Sequence, residues 1–299
     1  MKQREPLFLL KIGFDHVGES TTKNEGFIAR SKLLQNGKKQ HLVGKLQLDT
    51  FNTNRLMLNN LNMQLELSRT KPEFYLMGKL TDINSFKIYI EDIYLKVRRI
   101  TVSPSVMYAH TLALEKTTAK YPIKRVVLKS TTLPYNSNKF SIAGIHTGVM
   151  PTRVVFGFLD TAAQDGDFKK NPFEFKHFGI KEFKLKAASK SVPYSTPLTF
   201  DFDNDDYMNG YYGLFKNIRE APNDISYKEY KNGNTLFAFD LTPDLCSSEH
   251  YNLAKDGSLD IDVVLKKPIE TSITVLAYME FDNILEINKH RAVVVDYKV

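Results

Sequence analysis

The sequence predicts an all-β chain, and three observations carry that prediction. Apolar and polar side chains alternate with period two through most of the last sixty-odd residues. Turn-forming clusters punctuate the chain at short intervals, and large aromatic rings are abundant. Side chains along a strand point alternately to opposite faces, so period-two alternation marks half-buried strands. Of the 299 residues, 20 are Phe and 15 are Tyr, with no Trp. Rings of this size fill the space between two packed sheets.

The C-terminal strands are the clearest. Residues 235–241 (Thr-Leu-Phe-Ala-Phe-Asp-Leu) stop at Thr242-Pro243. Leu259, Ile261, Val263 and Leu265 share one parity. Ile273, Val275, Ala277, Met279 and Phe281 form another face, and Val293, Val295 and Tyr297 close the chain. Phe237, Phe239 and these rows are the expected core.

In the first half, strands are expected at 26–34, 41–49, 56–67, 74–77 and 86–102. Asn36-Gly37, Asn59-Asn60, Lys71-Pro72 and residues 81–84 separate them. Within 86–102, Phe86, Ile88 and Ile90 share one parity while Ile93, Leu95 and Val97 take the other. An extra residue near Glu91-Asp92 would restore a common face, which is what a β-bulge does.

The pattern then turns helical. Ser103 stands as a capping residue before Pro104 at the first helical position. Val106, Met107, His110, Ala113, Leu114 and Thr117 make one stripe, ending before Tyr121-Pro122. The organisation read from this is a β domain over 1–103, a connector helix over 104–122 and a second β domain over 123–299.

The second domain shows strand patterns at 124–130, 139–145, 152–159, 173–187 and 198–202, followed by the C-terminal strands. Phe173, Phe175, Phe183, Leu185 and Ala187 keep odd parity. A short helix is expected at 207–218, with Tyr207, Met208, Tyr211, Tyr212, Phe215 and Ile218 as its stripe. Gly210 and Gly213 weaken it by about 1 kcal/mol each. The strand count of this half is roughly that of a jelly roll. The fold class is therefore all-β, as tandem jelly-roll β-sandwiches joined by a short helix.

The chemistry of known motifs is missing. The sequence has no Gly-x-Ser-x-Gly elbow, Walker loop, Gly-x-Gly-x-x-Gly or His-Glu-x-x-His. His16, His41, His110, His146, His177, His250 and His290 lack ligand spacing. Cys246, beside Ser247-Ser248 and near His250, resembles a dyad only in sequence. The acidic cluster Asp201-Phe-Asp203-Asn-Asp205-Asp206 begins like a calcium loop. Asp206 stands where that loop needs Gly, however, and Tyr212 where it needs Glu. Its expected role is a solvated turn whose last carboxylates cap the following helix. Phe173-Glu-Phe175-Lys-His-Phe178 places rings beside cations, as single-stranded nucleic-acid binders do, but core packing explains the alternation more simply. No catalytic, cofactor-binding or metal-ligating residue is assigned, and no cofactor and no enzymatic activity are expected.

One cysteine excludes an internal disulfide framework. There is no Asn-x-Ser/Thr sequon, the first residues do not begin a signal peptide, and Leu7-Phe-Leu-Leu10 is too short for a membrane span. A protein made inside the cell, in cytoplasm or nucleus, and not secreted is the expectation. The net charge of +7 permits nonspecific contact with nucleic acid. Its densest spots, Arg98-Arg99, Lys124-Arg125, Lys169-Lys170 and Lys266-Lys267, are spread rather than blocked.

The order of several segments carries a resemblance. Gly44-Lys-Leu-Gln-Leu-Asp-Thr-Phe51 and Arg55-Leu-Met-Leu-Asn59 come first, then the stretch from Val102-Ser-Pro-Ser-Val106 to Ala119-Lys-Tyr-Pro-Ile123. Pro151-Thr-Arg-Val-Val-Phe-Gly157, Lys170-Asn-Pro-Phe173, residues 235–245 and Tyr278-Met-Glu-Phe-Asp-Asn283 follow. In this order the chain resembles the hexon-like double-jelly-roll major capsid proteins of Polinton (Maverick) and adintovirus-type elements and their animal-genome copies. The similarity spans about Gly26 to Tyr297.

The resemblance implies a structural protein of the virion, with self-association as its main partnership. Homotrimeric, pseudo-hexameric capsomers would contact each other, penton and minor capsid proteins in an icosahedral particle. Members of that family are longer at the N-terminus, so the first jelly roll is expected to be truncated. The alternative left open by the residues is a jelly-roll binding module for glycan or protein ligands. A cupin-like enzyme is disfavoured by the absence of a His cluster with metal spacing.

Overall fold

A computed structural model of the chain describes residues 32–33, 38–46, 48–53, 55–76, 87–218, 225–243 and 250–295. Its strands form two antiparallel sheets, both built from the second half. The first sheet contains β1 (Ala119–Leu133), β3 (Arg153–Asp160), β7 (Leu236–Asp240), β9 (Ile273–Ile287) and β10 (Val293–Val295). The second contains β2 (Lys139–Val149), β4 (Ile180–Ala187), β5 (Lys190–Val192), β6 (Leu198–Thr199) and β8 (Asp256–Leu265).

The spatial order of the first sheet is β1-β9-β3-β7, with β10 beside the end of β9. In the second it is β2-β8-β4, with β5 and β6 both on the far edge of β4. Most consecutive strands thus cross from one sheet to the other, and β1 lies beside β9. With β5 set aside as the second arm of a hairpin on β4, this is jelly-roll connectivity. The all-β jelly-roll class read from the sequence is the observed one.

The core lies between the sheets and follows parity. Val154, Phe156 and Phe158 of β3, Phe237 and Phe239 of β7, and Val275, Ala277, Met279 and Phe281 of β9 are buried. Leu259, Ile261, Val263 and Leu265 of β8 and Phe183 and Leu185 of β4 face them. All eleven residues expected in the C-terminal core (Phe237, Phe239, the β8 row and the β9 row) are buried. Phe183 sits at the centre, stacked on Phe237 at 4.9 Å and on Phe239 at 5.5 Å. It also meets Phe156 at 5.6 Å and Phe158 at 6.2 Å. A single ring of the second sheet thereby clamps two strands of the first.

Helices close one side. α5 (Met208–Asn217) and α6 (Tyr227–Lys231) pack beside β7 through Tyr207, Leu214 and Tyr230, all buried. α6 begins with a capping box: the Ser226 hydroxyl accepts from the Glu229 N–H and the Glu229 carboxylate accepts from the Ser226 N–H. The expected stripe on α5 needs correction. Met208 and Tyr212 are exposed, while Gly210 is buried. A Cβ at Gly210 would lie 2.6 Å from the Tyr230 hydroxyl, so that glycine admits a tyrosine rather than merely weakening a helix.

The earlier elements are α1 (Asp49–Asn52), α2 (Pro72–Tyr75) and α3 (Pro104–Lys116), and α4 (Thr161–Asp165) follows β3. α3 starts at Ser103-Pro104 as expected, although the Ser103 hydroxyl makes no capping bond and meets Ser105 instead. Of its expected stripe only Leu114 is buried. β1 begins at Ala119, before the expected boundary, and carries Pro122 within it. An edge strand tolerates this because a proline facing outward interrupts no ladder.

Other strand expectations fail. Among the described residues of 38–103 no strand forms, so 41–49, 56–67 and 86–102 are not paired where they are described. Ile90, Ile93, Leu95 and Val97 are exposed. Residues 26–31, Phe86 and Tyr297 lie outside the described residues. The strand expected from Phe173 starts only at Ile180. Phe178 and Gly179 take positive φ angles of 45° and 66°, which break an extended run, and Phe173 is exposed.

Candidate assembly surface

The outer face of the first sheet, turned away from the core, carries most of the polar organisation. Cross-strand neighbours place Val126, Glu280, Arg153 and Asp240 in one row and Lys124 beside Asp282 in the next. Arg153 is buried at 5% exposure, and its Nη1 donates to Glu280 Oε2 at 3.0 Å. Asp240 Oδ1 accepts from the N–H of Thr242 at 2.9 Å and from its hydroxyl at 2.5 Å. These residues enclose a polar niche of about 10 Å³, room for roughly one water and no organic ligand. The row therefore fixes β9, β3 and β7 against one another.

A segment of the first half lies along this sheet. Asp49 of α1 accepts from the Lys124 N–H. Arg55 donates to the Lys120 carbonyl at 2.6 Å, and the Tyr121 hydroxyl donates to the Leu56 carbonyl at 3.1 Å. Arg291 donates to the Asn59 side chain at 3.0 Å, just past the end of β9. This seam joins the two halves through side chains on the edge of β1. Farther along the same strand the outer face turns apolar, with Val126 and Leu128 46% and 61% exposed and Tyr278 beside Leu128.

The candidate chemical residues are not brought together. His146 is buried, with Nε2 at 2.7 Å from the Val149 carbonyl and its ring 5.1 Å from Phe281. His177 stacks on Phe202 at 4.2 Å, and its Nδ1 accepts from the Gly179 N–H. Burial, and then Lys231, push its pKa below the ordinary value. His41, His110, His250 and His290 are exposed at separate places. His16 and Cys246 lie outside the described residues. Among the described residues no three of His, Cys, Asp and Glu gather as a metal-binding set.

The acidic turn behaves differently from the expectation. Asp203 pairs with Lys266 and Asp205 with Lys231, each at 2.6 Å, while Asp201 holds Asn204. The hydrogen bond from Lys266 keeps the Asp203 carboxyl below its usual range. Tyr207 itself occupies the N-cap of α5 and no carboxylate caps that helix. The bends of the loop direct the carboxylates to lysines on other elements, which sequence spacing does not reveal. The basic pairs are also dispersed: Arg125 lies over the Phe281 ring at 4.7 Å, and Lys170 is 3.9 Å from Asp160. No helix among the described residues is long and apolar enough to cross a membrane.

No family model matches the chain. A search of curated proteins finds "Uncharacterized protein F54H12.2" of Caenorhabditis elegans, 23% identical over 290 residues, spanning 94% of this chain and 68% of that one. Among solved structures, the chain is similar to one in the cryo-EM structure of the Sputnik virophage. The TM-score is 0.41 and the identity 13%, over 61% of this chain and 39% of that one. For the PBCV-1 virus capsid the TM-score is 0.36 and the identity 7%, over 60% and 52%. For the mavirus major capsid protein they are 0.33 and 11%, over 61% and 42%. The chain thus spans about two fifths to one half of those solved chains.

Proposed function

We propose that this chain is a capsid-type structural protein whose jelly roll serves assembly rather than catalysis. The observation that carries the reading is the strand order β1-β9-β3-β7 over β2-β8-β4-β6, a fold used by virus capsids, lectins and cupins. The filled interior supports a structural use over a cupin-like one. Cupins keep a lined cavity with metal ligands, whereas this sandwich is filled by the cluster of Phe156, Phe158, Phe183, Phe237 and Phe239. The ordered segments that resemble hexon-like capsid proteins add sequence support across both halves.

On this reading the seam along β1 is where the two halves of the chain meet. Copies assemble as homotrimers, the units of a particle of the Polinton type, in contact with one another and with other capsid proteins. Electron cryo-microscopy of the purified chain tests this. Threefold particles with a pseudo-hexagonal outline are expected. Monomers retained on a glycan array would favour the binding-module alternative.

A further inference from the structure

Most sheet edges of this jelly roll are protected, as soluble β proteins require. Along β7 the Leu236 carbonyl accepts from the Tyr230 hydroxyl and the Ala238 carbonyl from Asn217. The register of β2 breaks between Ile142 and His146, with Gly144 at positive φ, and β5 and β6 are very short. On β1 the first third is covered: Asp49 takes the Lys124 N–H, Arg55 takes the Lys120 carbonyl, and Pro122 has no N–H to offer.

Those three contacts also fix which backbone groups face outward. They are the even-numbered ones, and the unbroken register of β1 on β9 carries that parity through Val126, Leu128, Ser130 and Thr132. No described residue bonds these outward groups. Among the described residues the stretch 126–132 is therefore a regular, partly apolar, open edge. β1 carries Lys120, Lys124, Arg125 and Lys129 and no acid, which disfavours pairing with a second β1.

Elsewhere the chain holds a strand pattern without a sheet. Residues 61–67, Leu-Asn-Met-Gln-Leu-Glu-Leu, alternate with period two, match the edge in length and include one acid and no cation. They belong to no strand or helix and are largely exposed, with Met63 at 53% and Leu67 at 60%. We infer that residues 63–67 of a second copy of this chain add as an antiparallel strand to residues 128–132 of the β1 edge. Placing Glu66 opposite Lys129 sets Leu67 against Leu128 on the outer face, with Leu65 and Met63 over the side chains of Ser130 and Thr132.

The strand's own chain cannot supply it in this register. Leu56 and Asn59 are held at the Ala119 end of β1 by Tyr121 and Arg291. Four residues reach about 14 Å, whereas Lys120 to Thr132 spans about 40 Å of strand. The contact is heterologous, so it closes as a ring or continues as a filament.

The test uses the full chain with Cys246→Ser. One batch carries Lys129→Cys and another Glu66→Cys, a pair in the close, non-hydrogen-bonded position that suits a disulfide. A mixed disulfide should form on mixing, and neither batch should cross-link alone. Self-linking of Lys129→Cys, linkage within one chain carrying both cysteines, or a yield no higher than with Tyr194→Cys would each overturn the inference.

Charge provides a second arm. Lys129→Glu or Glu66→Lys should weaken self-association by about tenfold, and mixing the two should restore it. Leu128→Pro should abolish association without lowering the melting temperature, because that N–H points outward. Trimers that survive Leu128→Pro would overturn the edge pairing while leaving the capsid reading intact.

Discussion

Phe183 gives the sharpest test of the sandwich. It is 1% exposed and its ring is the one member of the second sheet that contacts Phe156, Phe158, Phe237 and Phe239 together. Phe183→Ala removes a buried ring from between two β layers that cannot collapse onto the gap without breaking their ladders. The loss is about 3 to 5 kcal/mol. For a domain of this size each kcal/mol moves the melting temperature by about 2 to 4 °C, so a drop of about 6 to 20 °C is expected in differential scanning calorimetry. Phe183→Leu keeps most of the volume and should cost under about 1.5 kcal/mol. Phe173→Ala, on a ring 43% exposed whose ring contact among the described residues is edge-on to Phe74, should shift stability by less than about 1 kcal/mol. Equal shifts for Phe183→Ala and Phe173→Ala would refute the packing described.

Three further outcomes follow from the same geometry. Gly210→Ala should destabilise by about 1 to 3 kcal/mol against Tyr230, whereas Gly213→Ala, with nothing within 4 Å, should stabilise by about 0.5 to 1 kcal/mol; chemical denaturation separates them. Arg153→Ala should cost about 1 to 3 kcal/mol by leaving the half-buried Glu280 without its guanidinium partner, and the double change Arg153→Met with Glu280→Leu should recover most of it by the same assay. Burial pushes the Tyr230 hydroxyl far above its ordinary pKa of 10.0 and the Tyr278 hydroxyl up to about 12. The folded state then holds protons that the unfolded chain releases. Stability should be fully present below pH 10 and fall as pH rises from there through 12, and Tyr278→Phe should flatten that fall in a pH series of melting curves.

The second half was legible in the sequence because its alternation coincides with a real two-layer interior. Phe237, Phe239, Ile261, Val263, Val275 and Phe281 sit where parity places them. The same signal failed at 56–67 and 86–102. Period two states which side chains share a face; it does not state that a neighbouring strand exists to complete the ladder. Pro122 misplaced the start of β1 because tolerance of proline depends on the strand being an edge, a fact of tertiary order. The Arg153–Glu280 pair and the lysine partners of the acidic turn connect residues more than twenty positions apart, and no local spacing marks them. Of the candidate assembly surface, the basic run of β1 and the alternation of 61–67 were readable, but that 126–132 and 61–67 make no ladder bond to another described segment on their open sides became visible only in the fold.

Sedimentation equilibrium of the purified chain over a concentration series tests the assembly reading most directly. A species of three times the 34.3 kDa chain mass, growing at the expense of monomer as concentration rises, is the expected result. A monomer at every concentration would contradict it.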